Sequence, residues 1–336
     1  MVGARRASRK RKSARPGTAR SAAHPSGMAT GKPLTVLINA HGGAAGKLGG
    51  ELEPRLRAAF AKPDASVEIA LVDGKEIAAR TVAAGPCERI VIGGGDGTLA
   101  AAAAMLAGTT TALAILPLGT RNHFARQLGV PLDLDEAARL AVSGEPRAVD
   151  VVRLGGRGED GRVVINNASI GLYNRLVRQR LRLPGPKWLA TIPAAWRVLR
   201  HPRATALNLA IDGARRAVVT PLLFVGNNRY ALDASRLGER DSLTDGVLSL
   251  YAVPPLGPAA LVGFALRTLF GRADPSGRFE LLGEARALTI AGEGAIDIAL
   301  DGEPLALDLP LTMAIAPGAL RVIADAGLGA PGSRQP

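Results

Sequence analysis

One cysteine, Cys87, stands in a chain of 336 residues. A disulfide framework and a cysteine metal cluster are both excluded, and a lone thiol fits a reducing cytoplasm. Aromatic residues make up only 3%, so alanine, glycine and leucine must fill the core. No apolar run approaches the length that spans a bilayer, and no hydrophobic segment follows the basic N-terminus as in a signal peptide. Acidic residues are missing from positions 1–31, where Arg5 to Arg20 supply eight basic side chains. With its Ser, Ala, Gly and Pro, that segment cannot bury a core and is expected to be a disordered tail. A solvated tail is the simpler reading, with anionic lipid or nucleic acid as an alternative partner. The arm lacks aromatics and no recognised nucleic-acid motif follows, so no specific nucleic acid is expected.

A hydrophobic fraction of 47% against 21% charged residues describes a globular chain, and its length leaves room for two domains. From Pro33 to about Ala148, strands at 34–39, 67–72, 89–92 and 112–116 alternate with helices near 52–61, 77–84, 99–107, 121–128 and 134–142. Such alternation predicts a parallel sheet covered by helices on both faces. From about Val149, short β-branched runs separated by Gly and Asp-Gly turns predict a mainly antiparallel β-sandwich. Its strands are expected near 162–167, 206–211, 217–225, 247–252, 287–290 and 296–300. Two helical insertions, near 172–200 and 256–270, interrupt it.

The most informative stretch is Arg89 to Leu106. An apolar run (Ile90, Val91, Ile92) leads into Gly93-Gly94-Gly95, and Asp96-Gly97-Thr98 then opens an alanine-rich segment. A strand, a glycine turn and a helix start bring bare backbone N–H groups to an anionic phosphate. Asp96 offers a carboxylate for a divalent cation, and Thr98 an N-cap or a phosphate donor. The alternative is an ordinary strand-to-helix bend. A second such unit follows: the strand 113–116, the turn Pro117-Leu118-Gly119, then Thr120 and Asn122 at a new helix. Both loops would lie at the carboxyl ends of the parallel strands, where open α/β sheets bind ligands. His123 reads as a helix-start residue.

The pair Gly94-Gly95-Asp96-Gly97-Thr98 and Pro117-Leu118-Gly119-Thr120-Arg121-Asn122-His123-Phe124-Ala125 resembles the diacylglycerol kinase catalytic family. That group includes bacterial soluble lipid kinases and the sphingosine and ceramide kinases. Asn167-Ala168-Ser169-Ile170-Gly171-Leu172-Tyr173, Val225-Gly226-Asn227-Asn228-Arg229-Tyr230, Leu243-Thr244-Asp245-Gly246-Val247-Leu248 and Leu300-Asp301-Gly302-Glu303-Pro304 agree in family order. The resemblance implies a phosphofructokinase/NAD-kinase-like α/β domain at 32–148, a β-rich lipid-substrate domain at 149–310, and a flexible C-terminus at 326–336. A last strand near 313–322 is implied to return to the first domain, with the active site in the cleft between the two.

The resemblance further implies ATP and Mg²⁺ as cofactors. Gly94, Gly95, Asp96, Gly97, Thr98 and Thr120 are placed at the nucleotide phosphates, with Asn39 and Asn122 beside them. The catalytic base maps to Glu303 or Asp301, although Asp301-Gly302 also reads as a hairpin turn. An activating Mg²⁺ is implied at the Asp245 carboxylate and the carbonyls of Ser242 and Val247. Two departures stand out. The loop at Asn39-Ala40-His41-Gly42-Gly43 lacks the family's proline and serine, and alanines occupy positions 100 and 101 where Asn-Glu is common.

The stretch from Gly161 to Ala210 holds nine basic residues and no acid, with Trp188 and Trp196 on one helical face with Ile192 and Leu199. Such a face suits either a membrane interface or a core. The expected partner is therefore a lipid substrate at an anionic membrane surface, met by a cytoplasmic protein that docks transiently on the inner face. The oligomeric state stays open, with a homodimer as one candidate. The leading function is an ATP-dependent lipid kinase acting on diacylglycerol, a sphingoid base or ceramide. NAD kinase or a phosphofructokinase-like enzyme is the enzymatic rival, and a non-catalytic lipid- or nucleotide-binding regulator the third reading.

Overall fold

The structure, a computed structural model, describes residues 33–61, 63, 65–157, 161–171, 204–231, 239–240, 242–254 and 280–325. The basic N-terminal segment, both expected helical insertions with Trp188 and Trp196, and residues 326–336 lie outside the described residues.

Four strands, β1 (Leu34–Asn39), β2 (Val67–Val72), β3 (Arg89–Gly94) and β4 (Ala112–Pro117), pair in parallel in the order β2-β1-β3-β4. Strands β3 and β4 are apolar almost throughout because helices cover both of their faces. Ile90, Ile92, Leu113 and Ile115 are buried there, each contributing about 1.5–3 kcal/mol of hydrophobic free energy. Connecting the strands are α1 (Gly43–Leu48), α2 (Leu52–Ala61), α3 (Ile77–Ala83), α4 (Asp96–Leu106), α5 (His123–Gln127) and α6 (Leu134–Ser143). In α4 the buried alanines Ala102 and Ala103 leave no bulk between the helix and the sheet. Helix α6 starts at Asp133, whose carboxylate accepts the N–H groups of Asp135 and Glu136, and stops before Gly144.

The same sheet continues into the second half of the chain. β5 (Pro146–Gly156) lies antiparallel to β16 (Leu311–Ile323), and β16 also pairs in parallel with β4 through Val322 and Leu113. On the other side of β16 follow β13 (Ala287–Ala291), β8 (Thr205–Ile211) and β9 (Ala214–Thr220), all antiparallel. The short β6 (Val163–Val164) pairs with β5. A second, wholly antiparallel sheet runs β12 (Glu280–Ala285), β11 (Leu248–Val253), β10 (Leu222–Asn227), β7 (Asn167–Gly171), β14 (Ala295–Leu300) and β15 (Glu303–Asp308). Alternate residues such as Val225, Leu250 and Ile298 face Leu209, Ile290 and Met313 of the first sheet, forming a core separate from that of the parallel region.

Several boundaries differ from the expectation. The predicted strand 217–225 breaks at Pro221, which has no N–H for the ladder, and its halves join different sheets as β9 and β10. The predicted strand 162–167 divides into β6 and β7, leaving Ile165 and Asn166 outside either ladder. Strands β12 and β15 have weak alternation and escape the sequence pattern. Helix α4 begins at Asp96, three residues before its predicted start, because packing on the sheet overrides the low helix propensity of Gly97.

Candidate active site

Three loops meet at the carboxyl ends of β1, β3 and β4. Asn39, the last residue of β1, donates from Nδ2 to Thr98 Oγ1 at 2.9 Å, tying the first loop to α4. Its Oδ1 accepts the His41 N–H at 3.2 Å. Ala44 donates to the Leu118 carbonyl at 2.8 Å, which joins the start of α1 to the third loop. Gly95 and Gly119 touch backbone to backbone, and a methyl group on Gly119 would collide with the Gly95 Cα. Only glycine permits that approach, and the result is a cluster of unshielded peptide groups at one sheet edge. Thr120 is exposed on the same loop.

Asn122 has a left-handed backbone (φ 53°) and is buried. Its Nδ2 donates to the carbonyls of Pro117 and Gly119 at 3.1 and 3.0 Å, while its Oδ1 accepts the Gly119 N–H at 2.9 Å. Asn122 therefore shapes the loop from within. The Asp96 carboxylate accepts the N–H groups of His123 and Phe124 at 3.2 and 2.9 Å. It thus caps α5 from 27 residues away and locks the second loop to the third, a charge-assisted contact at the positive helix end. Thr98 is not the N-cap of α4. Gly95 holds that position, and Thr98 lies in the first turn, buried against Gly94.

The late Asp-Gly-Glu segment is a hairpin, with Leu300 paired to Glu303 across the two-residue turn Asp301-Gly302. Both turn residues have positive φ (47° and 89°), the backbone such tight hairpins need. The turn sends its two carboxylates in different directions. Asp301 accepts the N–H groups of Ile165, Asn166 and Asn167 at 3.0, 2.7 and 3.1 Å. Its pKa is pushed up to about 6, because burial of the carboxylate outweighs the three N–H donors that favour its charged form. Glu303 is exposed and reaches across to the glycine loop, where its Oε1 occupies the space a Gly97 side chain would need. The hairpin brings only Glu303 to the loops. Asp301 instead braces the irregular link between β6 and β7.

The third predicted cluster forms elsewhere. The Asp245 carboxylate lies 3.7 Å from the Arg229 guanidinium and accepts the Arg229 N–H at 3.4 Å. Arg229 also forms a two-pronged contact with Glu284 at 2.6 and 2.7 Å, which raises the Arg229 pKa and lowers that of Glu284. The Val247 carbonyl accepts the Asn228 N–H at 2.9 Å, and Ser242 Oγ accepts the Thr244 N–H at 3.0 Å. Oxygen donors suited to a hard cation do gather here, and Arg229 is shared between two carboxylates, closely with Glu284 and more loosely with Asp245. A cation there would have to share the Asp245 carboxylate with Arg229. At the glycine loops Asp96 is the better candidate, since each oxygen accepts one N–H and retains capacity for a second partner.

Sequence reasoning missed Asp150. This buried residue accepts the N–H groups of Gly246 and Gly318, both at 2.8 Å, and so holds the Asp245 turn against the irregular middle of β16. A lone acid in an apolar strand, DVVRLGG in the run from Asp150, was the available signal. A shallow depression of about 390 Å³, lined by Pro86, Cys87, Glu88, Thr110 and Arg321, lies at the opposite ends of β3 and β4 and holds none of these groups.

The Diacylglycerol kinase catalytic domain model matches residues 33–154, and the YegS C-terminal NAD kinase beta sandwich-like domain matches 173–324. A Pseudomonas syringae pv. tomato protein named "Probable lipid kinase YegS-like" is 34% identical over 259 residues, covering 74% of this chain and 80% of the relative. A Pseudomonas aeruginosa protein of the same name is 34% identical over 310 residues, covering 87% and 95%. Among solved structures, a candidate diacylglycerol kinase from Bacillus anthracis superposes with a TM-score of 0.68 at 21% identity, covering 91% of this chain and 99% of that one. At that identity the structural likeness concerns the fold. The sequence matches reach further: the chain belongs to the diacylglycerol kinase catalytic-domain family and, within it, to the YegS-like lipid kinases.

Proposed function

We propose that the protein transfers the γ-phosphoryl group of ATP to a hydroxyl of diacylglycerol or a related lipid, with Glu303 as the general base. The observation that carries this reading is the contact of Glu303 Oε1 with Gly97, which puts an exposed carboxylate beside a phosphate-type glycine loop. In the transfer, the lipid oxygen bonds to the γ-phosphorus, the bond from that phosphorus to the bridging oxygen breaks, and ADP departs. The hydroxyl proton moves to Glu303. The glycine loop at 94–97 offers backbone N–H groups to the phosphates and Thr120 adds its N–H and hydroxyl from the second loop, while Asn39, Thr98 and Asn122 hold those loops in shape. A divalent cation at Asp96, when bound, would neutralise phosphate charge. Asp301 holds the hairpin that aims Glu303.

A net charge of +13 supports an anionic membrane surface as the place where the lipid is met. No helix among the described residues is long and apolar enough to cross a membrane. The test is transfer of radiolabelled γ-phosphate from ATP to diacylglycerol, sphingosine or ceramide in mixed micelles, with NAD and fructose 6-phosphate as parallel acceptors. Label is expected in the lipid phase. Label in NAD or fructose 6-phosphate, with none in lipid, would overturn the reading.

A further inference from the structure

Arg240 is one of the largest fully buried side chains described, with 2% relative exposure. Its stretch, Glu239-Arg240-Asp241, reads in sequence as an ordinary solvated charge run. The structure instead places the guanidinium between the two halves of the chain. Nη1 donates to the carbonyls of Ile165 and Asn227 at 2.9 and 3.1 Å, and Nη2 to Asn166 Oδ1 at 3.0 Å. Nε donates to Gln127 Oε1 at 2.8 Å, and Nη2 bonds the same oxygen. The Tyr230 ring lies 5.6 Å from the guanidinium carbon, and its hydroxyl donates to the Asn166 carbonyl at 3.0 Å. Arginine suits this task because its planar fork serves several acceptors at once.

The partners at each end of this fan matter more than the fan itself. Gln127 is the last residue of α5, the helix whose first N–H groups are capped by Asp96. Ile165 and Asn166 carry the N–H groups that the Asp301 carboxylate grips. Asp301 is two residues from Glu303, and Glu303 returns to Gly97 beside Asp96. A closed ring of contacts therefore runs through Asp96, α5, Gln127, Arg240, residues 165–167, the hairpin, and back to the glycine loop.

We infer that Arg240 is a positioning residue for phosphoryl transfer, which sets the placement of Glu303 relative to the nucleotide loops through its bridge from Gln127 to residues 165–166. This rests on the assignment of Glu303 as base. Arg240 is buried within the ring and bonds none of the loop residues that would face the phosphates. Its removal displaces the base without emptying the nucleotide site. A misplacement of about 1 Å at a reacting group can cost around a hundredfold in rate, whereas phosphates held by loops 94–97 and 117–120 bind as before.

The test compares Gln127→Ala, Gln127→Glu, Arg240→Lys and Glu303→Gln in the full chain, with ATP and diacylglycerol micelles. Gln127 is only partly buried, so its truncation cuts the bridge while leaving the bonds from Arg240 to 165, 166 and 227 intact, even where an Arg240 variant fails to fold. Gln127→Ala is expected to lower kcat about tenfold or more, with KM for ATP within about twofold, and to lower Tm because buried N–H groups of Arg240 lose their acceptor. Gln127→Glu keeps an acceptor for Arg240 and should restore kcat to within about threefold of wild type. Arg240→Lys should fall between them. Wild-type kcat in Gln127→Ala, alongside an impaired Glu303→Gln, overturns the positioning role and leaves the base assignment standing. A rate loss that only tracks unfolded protein, with ATP KM rising in step, also overturns it. Wild-type turnover in Glu303→Gln removes the base assignment itself, and the ring's catalytic purpose with it.

Discussion

The parallel part of the first sheet and the antiparallel sandwich deliver their functional groups in opposite ways. In the parallel part, Asn39, Asp96 and Asn122 sit on or just past the strand ends, so each is positioned by the strand that precedes it. In the sandwich, Glu303 is aimed by a hairpin that Asp301 fastens to residues 165–167, more than 130 positions earlier. The first arrangement rests on neighbouring strand ends, tied to one another by single side chains. The second depends on long-range bonds, so a distant substitution can move Glu303.

The largest effect is expected at Asp96. Replacing it with alanine removes the carboxylate proposed to face the phosphates and the cap of α5 together. Turnover should fall by roughly a thousandfold or more, while losing the cap costs about 1 kcal/mol of stability. Steady-state kinetics and thermal melts check both parts, and near-normal turnover in a folded variant would remove the nucleotide-site assignment. Gly97→Ala acts on the seam between the two regions. Its methyl group meets the flexible end of Glu303, so the carboxylate swings aside and kcat should drop between about ten- and a hundredfold. The melting temperature should stay close to wild type.

Asp301→Asn tests the long-range arrangement through stability. The amide oxygen can accept, but its NH₂ would face an N–H donor, and leaving a buried N–H unpaired costs about 1–3 kcal/mol. The pH dependence of urea unfolding should differ as well. Asp301 has a folded pKa of about 6 against an ordinary value of 3.8, so the folded state binds more protons between those values. Its contribution to stability is therefore complete below about pH 4 and fades as pH rises through about 6. The difference between wild type and Asp301→Asn should shift across that window, and a constant difference would contradict the burial of this carboxylate. The smallest effect is expected from deleting residues 1–27. The compact unit begins at Pro33, so turnover and melting should be unchanged, with weaker binding to anionic vesicles only at low salt.

The contrast also explains what the sequence made legible. The glycine loops could be read because strand, turn and helix follow one another within a dozen residues, and their apolar periodicity is strong. Helix α4 was still placed three residues late, since propensity at Gly97 argued against a helix that tertiary packing imposes. The Asp-Gly-Glu hairpin was legible as a turn, but not the opposite directions of Asp301 and Glu303, which depend on where residues 165–167 lie. Asp150 and Arg240 were hidden for the same reason. Each is a lone charge whose partners come from distant segments; the apolar run around Asp150 hints at burial, whereas nothing beside Arg240 tells it apart from a surface residue.

The proposed base lies on the late hairpin, and the proposed nucleotide site on the other half of the chain. The direct measurement is Glu303→Gln, in which ATP binding by calorimetry and phosphoryl transfer to diacylglycerol are followed on the same preparation. An ATP affinity within about twofold of wild type and a kcat reduced by roughly a hundredfold or more are expected. Wild-type turnover, or a loss of ATP binding that accounts for the whole defect, would contradict the assignment of Glu303.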